Sequence, residues 1–185
     1  MHIPSPKHDD SIKTHLVVFC QMGFVYMQDI LIFSLLEGRI VEINYKNYLI
    51  SDDKSLIQPN RVHELLSVTY WAKGRTMETV EKSIETSLCF GIYSGEKQVG
   101  FARCVTDYAT IYWLADVIVD DSCRGEGLGK ALVGVIVEHE KLKTLDCILS
   151  TSDAHGLYAQ NGFFPVDGRF MRRTGARDGA SSIVG

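Results

Sequence analysis

The sequence predicts an α/β (α+β) domain from residue 41 onward, and three observations carry that expectation. Apolar runs of strand length, bounded by turn residues, occur at 45–51, 88–93, 98–105, 111–119 and 146–151. Two stretches, 76–87 and 127 to about 142, place apolar residues at helical spacings of three and four. A glycine-rich segment, Arg124-Gly125-Glu126-Gly127-Leu128-Gly129-Lys130, joins one of the strands to the second of those helices.

Bulk properties narrow the function classes. The chain has 185 residues, enough for one domain of about 140 residues plus an extension. Apolar residues make up 45%, which can fill a core. A net charge of −4 gives no basic field, so a nucleic-acid partner is not expected. The five cysteines are scattered, odd in number and form no CxxC pair, a pattern that fits reduced thiols and a cytoplasmic protein. No metal site is expected. His63-Glu64-Leu65-Leu66-Ser67 starts like a zincin motif and has Ser at the second ligand position; His139-Glu140 fails in the same way at Lys143.

Residues 1–40 read as an extension outside the domain. Leu16 to Leu36 is apolar and almost long enough to span a bilayer, but Gln21, Gln28 and Asp29 interrupt it. Asp9 and Asp10 are wrong for a signal peptide, and no small-residue cleavage site follows. The expectation is a segment packed on the domain or on a partner chain, which would allow a homodimer. A membrane anchor and a poorly ordered extension are the competing readings.

Within 41–173 the elements follow in order. Tyr45 to Ser51 reads as a strand ended by Asp52-Asp53, and Asn60 as the N-cap of a helix from Arg61 to about Tyr70. Met77, Val80 and Ile84 mark the next helix. Ser94-Gly95-Glu96-Lys97 turns one strand into the next as a hairpin. Ile111 to Val119 is apolar on both faces except for Asp116, which suits the middle of a sheet. Leu128, Ala131, Leu132, Val135 and Ile136 face one side of the helix that follows the glycines. Asp153 can cap a short helix that Asn161-Gly162 ends, and 163–166 with 169–172 can make a last hairpin. The tail, 174–185, is small and polar and is expected to fray.

The glycine-rich segment suits an anion. Glycines let the backbone approach a phosphate closely and take positive φ, and N–H groups at a helix start point toward a bound anion. Lys130 or Arg124 can add charge-assisted contacts. Two nucleotide-binding motifs fail at a defining residue: Lys130 stands where the Rossmann fingerprint needs its third glycine, and Ala131 where a Walker loop needs Ser or Thr. Taken alone, the segment leaves open a helix entry with no ligand.

Arg124-x-x-Gly127-x-Gly129 resembles the [RQ]-x-x-G-x-[GA] motif of the GNAT superfamily of N-acetyltransferases. Ala154-His155-Gly156-Leu157-Tyr158-Ala159-Gln160-Asn161-Gly162-Phe163, about 30 residues on, resembles that superfamily's A-x-x-L-Y-x-x-x-G-F signature. The likeness covers about residues 45–173 and is closest to an uncharacterised bacterial-type subgroup. It implies a mixed sheet of six to seven strands with splayed central strands, flanked by about four helices. It implies acetyl-CoA as cosubstrate and direct attack by an amine without an acyl-enzyme. By the same resemblance the backbone of Val117, Ile118 and Val119 pairs with the pantetheine arm. Gly125, Glu126, Gly127, Leu128, Gly129 and Lys130, with Arg124 before them, hold the pyrophosphate. Tyr158 is the position that protonates the leaving thiolate; the alternative is a buried Tyr packing its helix on the sheet.

Other residues carry two readings each. Asp116 is a candidate base, because a carboxylate in an apolar strand is costly unless paired or useful; it is equally a structural Asp bonded to backbone or to an Arg. His155, one helical turn before Tyr158, is a weaker base candidate or a surface His. Cys123 reads as a small buried side chain rather than a nucleophile, and Tyr70-Trp71 as core or acceptor lining. The acceptor is a primary amine, a small molecule in preference to a peptide. A protein that binds acyl-CoA as a regulatory ligand and transfers nothing is the alternative.

Overall fold

The structure, a computed structural model, describes residues 30–33 and 40–173. They fall into two compact units that part between Ser150 and Thr151. The first carries seven strands and three helices. The strands are β1 (Ile30–Phe33), β2 (Glu42–Tyr45), β3 (Tyr48–Ser51), β4 (Leu88–Ser94), β5 (Lys97–Thr106), β6 (Ile111–Val119) and β7 (Asp146–Ile148). Two helices, α1 (Pro59–Ser67) and α2 (Met77–Glu85), separate β3 from β4, and α3 (Leu128–Val137) separates β6 from β7.

The strands lie side by side in sequence order in one mixed sheet. Each neighbouring pair is antiparallel except β6 with β7, which is parallel. Short turns join β2 to β3, β4 to β5 and β5 to β6, α1 and α2 lie between the antiparallel β3 and β4, and the parallel neighbour β7 needs a crossover, which α3 provides. The turn before β6 is held by Asp107, whose Oδ1 accepts from the N–H groups of Ala109, Thr110 and Ile111. The Thr110 hydroxyl and these N–H groups hold that carboxyl well below the usual range.

Two features of β6 position the site. Its pairing with β7 covers only Ile111–Trp113 against Asp146–Ile148, so from Leu114 onward β6 is paired on the β5 side alone among the described residues. This is the splay expected of the central strands. Its register with β5 shifts between Phe101↔Ile118 and Arg103↔Ala115, and within that bulge Asp116 has φ +55°. A bulge re-aims side chains and sharpens the local bend, and Asp tolerates the left-handed region better than most residues.

The core beside α1 and α2 joins Val62, Leu65, Leu66, Val80 and Ile84 to Phe101 of β5 and Ile118 of β6. Helix α3 buries Leu128, Leu132, Val133 and Ile136 and packs on β4 and β6. Below its C-terminus His139 Nε2 lies 3.0 Å from Asp52 Oδ2, both side chains buried, tying the helix end to the end of β3.

Several sequence expectations change. The strand read at 45–51 is a hairpin, because Lys46 (φ +54°) and Asn47 turn the chain between β2 and β3. Asn60 lies inside α1, which starts at Pro59 with Gln58 in the cap position; proline's fixed φ suits the first helical residue. Strand β1 falls within the segment read as an extension. The rest of that segment, and the tail from 174, lie outside the described residues.

The second unit holds α4 (His155–Ala159). Thr151 Oγ1 accepts from the Ala154 N–H, while Asp153, expected to cap the helix, makes no cap bond. Gly162 at φ +83° lies just beyond the helix end, as expected of a C-terminal glycine. The hairpin expected over 163–172 does not form: that stretch has no strand pairing, and Phe164, Phe170 and Met171 are exposed. Short apolar runs make strands only where a partner strand offers its hydrogen-bonding groups.

Candidate active site

The glycine-rich loop leaves β6 through a 3-10 turn, Asp121–Cys123, capped by the Asp120 side chain on the Ser122 N–H. The Asp120 N–H donates to Val99 O at 2.7 Å, and Arg61 Nη2 donates to Asp120 Oδ2. Gly125 (φ +80°) and Gly127 (φ +82°) then reverse the chain, and Gly127 caps α3. The first i→i−4 bond of α3 runs from the Ala131 N–H to Gly127 O, 3.0 Å. The N–H groups of Leu128, Gly129 and Lys130 therefore precede the helix's own bonding, where the dipole favours an anion. Arg124 is exposed and pairs with Asp121 at 2.7 Å.

The β2–β3 hairpin braces this loop, which the sequence did not reveal. Lys46 Nζ donates to Glu126 O at 2.7 Å, Tyr45 Oη to the same oxygen at 3.3 Å, and Tyr48 Oη to Glu126 Oε1 at 2.8 Å. The Glu126 carboxylate, then the Cys123 thiol, push the Tyr48 phenol up. A Cβ on Gly127 would stand 2.7 Å from Tyr45 Oη, so a side chain here would displace that tyrosine's tip, and the positive φ favours glycine.

Val117, Ile118 and Val119 occupy the length of β6 that, among the described residues, only β5 pairs. Asp116, at the start of that length, is 1% exposed in its side chain. Its Oδ2 accepts from Arg75 Nη1 at 2.7 Å and from Arg103 Nε at 2.6 Å. Its Oδ1 is buried and has no hydrogen-bond partner among the described residues. Burial pushes the carboxyl up, but Arg75 and Arg103 together outweigh burial and hold it below the usual range. Of the two sequence readings of Asp116, the observed partners are those of an Asp bonded to arginine. Sequence reasoning missed both arginines. A usable signal was present: Arg103 and Asp116 are isolated charges in adjacent apolar strands.

The remaining candidates are placed as follows. Tyr158 lies in α4, half-buried, with its ring 5.7 Å from that of Phe163 in a T-shaped contact. His155 opens the same helix and is exposed. Cys123 is half-buried in the turn before the loop. Tyr70 and Trp71 form a T-shaped pair at 4.9 Å and are 64% and 41% exposed, so neither is core. No group of metal-ligating side chains occurs among the described residues. None of their helices is long and apolar enough to cross a membrane.

A splayed mixed sheet with a glycine loop at the end of the splayed strand defines a class of acyltransferase fold, and the comparisons agree. The family model for the acetyltransferase (GNAT) domain matches residues 85–165. A crystal structure of a GNAT-family protein from Xanthomonas campestris pv. campestris, provisionally an acetyltransferase, is 42% identical with TM-score 0.66. The match covers 69% of this chain and 92% of that one. A Gibberella zeae protein with a provisional acetyltransferase name is 28% identical over 112 residues, 50% of this chain; the chain spans 63% of that relative's length. A Staphylococcus aureus protein of unknown function shares the fold at 19% identity and TM-score 0.58, over 70% of this chain and 99% of its own. This chain belongs to the GNAT acetyltransferase family.

Proposed function

We propose that the protein is an acetyl-CoA-dependent N-acetyltransferase acting on a small primary amine. The observation that carries the reading is the loop: two positive-φ glycines followed by the N–H groups of Leu128, Gly129 and Lys130, which lie ahead of the first bond of α3. That is a cradle for an anion at close backbone range, and the CoA pyrophosphate fits it. When bound, acetyl-CoA supplies the acetyl group, which the acceptor amine takes by direct attack on the thioester.

The chain's own residues then divide the work. Residues 125–130 hold the pyrophosphate through main-chain N–H groups, with Arg124 alongside. The backbone of 117–119, paired on one side only, offers hydrogen bonds to the pantetheine arm. Tyr158 donates the proton that the departing sulfur needs; its support is its place in the Leu157-Tyr158-x-x-x-Gly162-Phe163 pattern, and a phenol is a suitable acid for a thiolate. Asp116 acts by holding Arg75 and Arg103 in place. A covered carboxylate with a lowered pKa is a weak proton acceptor, so the amine's proton leaves to water.

The test is release of free thiol from acetyl-CoA in the presence of an amine panel, with cofactor binding measured by calorimetry. Turnover with at least one amine is the expected result. Tight acetyl-CoA binding with no turnover on any amine would identify an acyl-CoA-binding regulator instead.

A further inference from the structure

Two guanidiniums share one carboxylate oxygen at the bulge of β6. The three groups Arg75, Arg103 and Asp116 carry one positive charge in excess. The layering has a direction: Asp116 is 1% exposed in its side chain, Arg103 16% and Arg75 27%. The carboxylate is covered, and both arginine side chains keep some contact with solvent.

The forks are largely unspent. Arg75 gives Nη1 to Asp116; Arg103 gives Nε to Asp116 and Nη1 to the Ser87 hydroxyl at 3.3 Å. A guanidinium has five N–H donors in one plane, matched to the two oxygens of a carboxylate. Balancing a buried carboxylate takes one arginine; the second is surplus for that purpose.

Arg103 also lines an open cavity of about 540 Å³ between α2 and β5, with Glu78, Lys82, Ser83 and Val105. Ala115, the residue before Asp116, pairs with Arg103 across the sheet.

We infer that Arg75 and Arg103 form a carboxylate-binding subsite, and that the acceptor is a small amine bearing a carboxylate, as an amino acid does. One surplus charge matches a singly charged carboxylate and leaves a phosphate dianion half-balanced. Asp116 is the positioning residue that aims both forks. The identity of the ligand as acceptor rests on the transferase reading; the subsite stands on the cluster, of which Arg103 also lines the cavity.

The experiment measures binding and turnover separately. Calorimetry on the CoA-loaded full chain compares α-amino acids with their own carboxamides, which differ only in the anion. At least one pair should favour the carboxylate tenfold or more in Kd. The preference should fall to within about threefold in Arg75→Lys and Arg103→Lys, which keep the charge on Asp116 and remove the fork. Equal binding within every pair, no binding by any member, or a preference that survives both replacements would overturn the subsite. Thiol release is read on the same pairs. Carboxylates that bind with preference and are not acetylated leave the subsite standing and remove its ligand as the acceptor; acetylation without preference overturns the subsite and leaves the transferase reading.

Discussion

The glycine loop and the Arg75–Asp116–Arg103 cluster recognise charge by opposite means. The loop does so with main chain: its N–H groups, two positive-φ glycines and a helix start are contiguous over 124–130. The cluster uses side chains from the segment before α2, from β5 and from β6, which only the fold brings together. Backbone recognition is indifferent to what else the protein does. Side-chain recognition is where members of one fold diverge, since function resides in sites grafted on a shared scaffold.

Four substitutions would break or sharpen that contrast. The largest effect is expected at Gly127→Val, which places a β-branched residue at φ +82° and drives a Cβ toward Tyr45 Oη. Acetyl-CoA affinity should fall by about a thousandfold, roughly 4 kcal/mol. Calorimetry checks it, and retained affinity would displace the pyrophosphate from this loop. Next, Tyr158→Phe should lower kcat about a hundredfold, within the range of a general acid, while leaving the KM for acetyl-CoA nearly unchanged. Unaltered turnover removes Tyr158 from the acid role.

Asp116→Asn tests the cluster through stability. It leaves two partly buried guanidiniums without their carboxylate and should cost about 2 kcal/mol, less than a fully buried pair because both arginines reach solvent. The pH dependence has a definite sign. Asp116 has a lowered pKa in the folded state, so its contribution is present above the ordinary Asp pKa of about 3.9 and is lost as pH falls through the folded value. The gap in denaturation midpoint between wild type and Asp116→Asn should therefore be full at neutral pH and close in acid. A gap independent of pH would mean the charge of Asp116 does not hold the cluster. Tyr48→Phe removes one bond to Glu126 and nothing from the loop's own backbone. It should weaken acetyl-CoA binding by only about fivefold, roughly 1 kcal/mol. A loss as large as that of Gly127→Val would show that the loop has no shape of its own.

The same contrast explains what the sequence disclosed. Contiguous features were legible: strand 111–119 and the start of α3 stand at the expected residues. Glycine spacing and helical period are local properties, and local reading recovers them. Arg75 and Arg103 were missed because neither belongs to a motif, and their meaning depends on a register and a bulge that no short window contains. The brace of Tyr45, Lys46 and Tyr48 on Glu126 was missed for the same reason, across about 80 residues of chain. The hairpin expected over 163–172 failed in the other direction: a local pattern was present, and no partner strand met it.

The half-paired β6 has a consequence for the protein without its cofactor. From Leu114 to Val119 the sheet has an edge in its interior, a row of main-chain groups turned away from β5. Edges of this kind are templates for another extended chain, and proteins ordinarily blunt them. On the proposed reading the pantetheine arm is that chain, a surrogate strand borrowed from a small molecule. Loading would then close the sheet as well as arm the reaction. At a ligand concentration a hundred times its Kd, such linkage adds about 2.7 kcal/mol to folding stability. Amide exchange at Val117–Val119 would slow on loading, and the cellular supply of the cofactor would help set how long each copy of the protein survives.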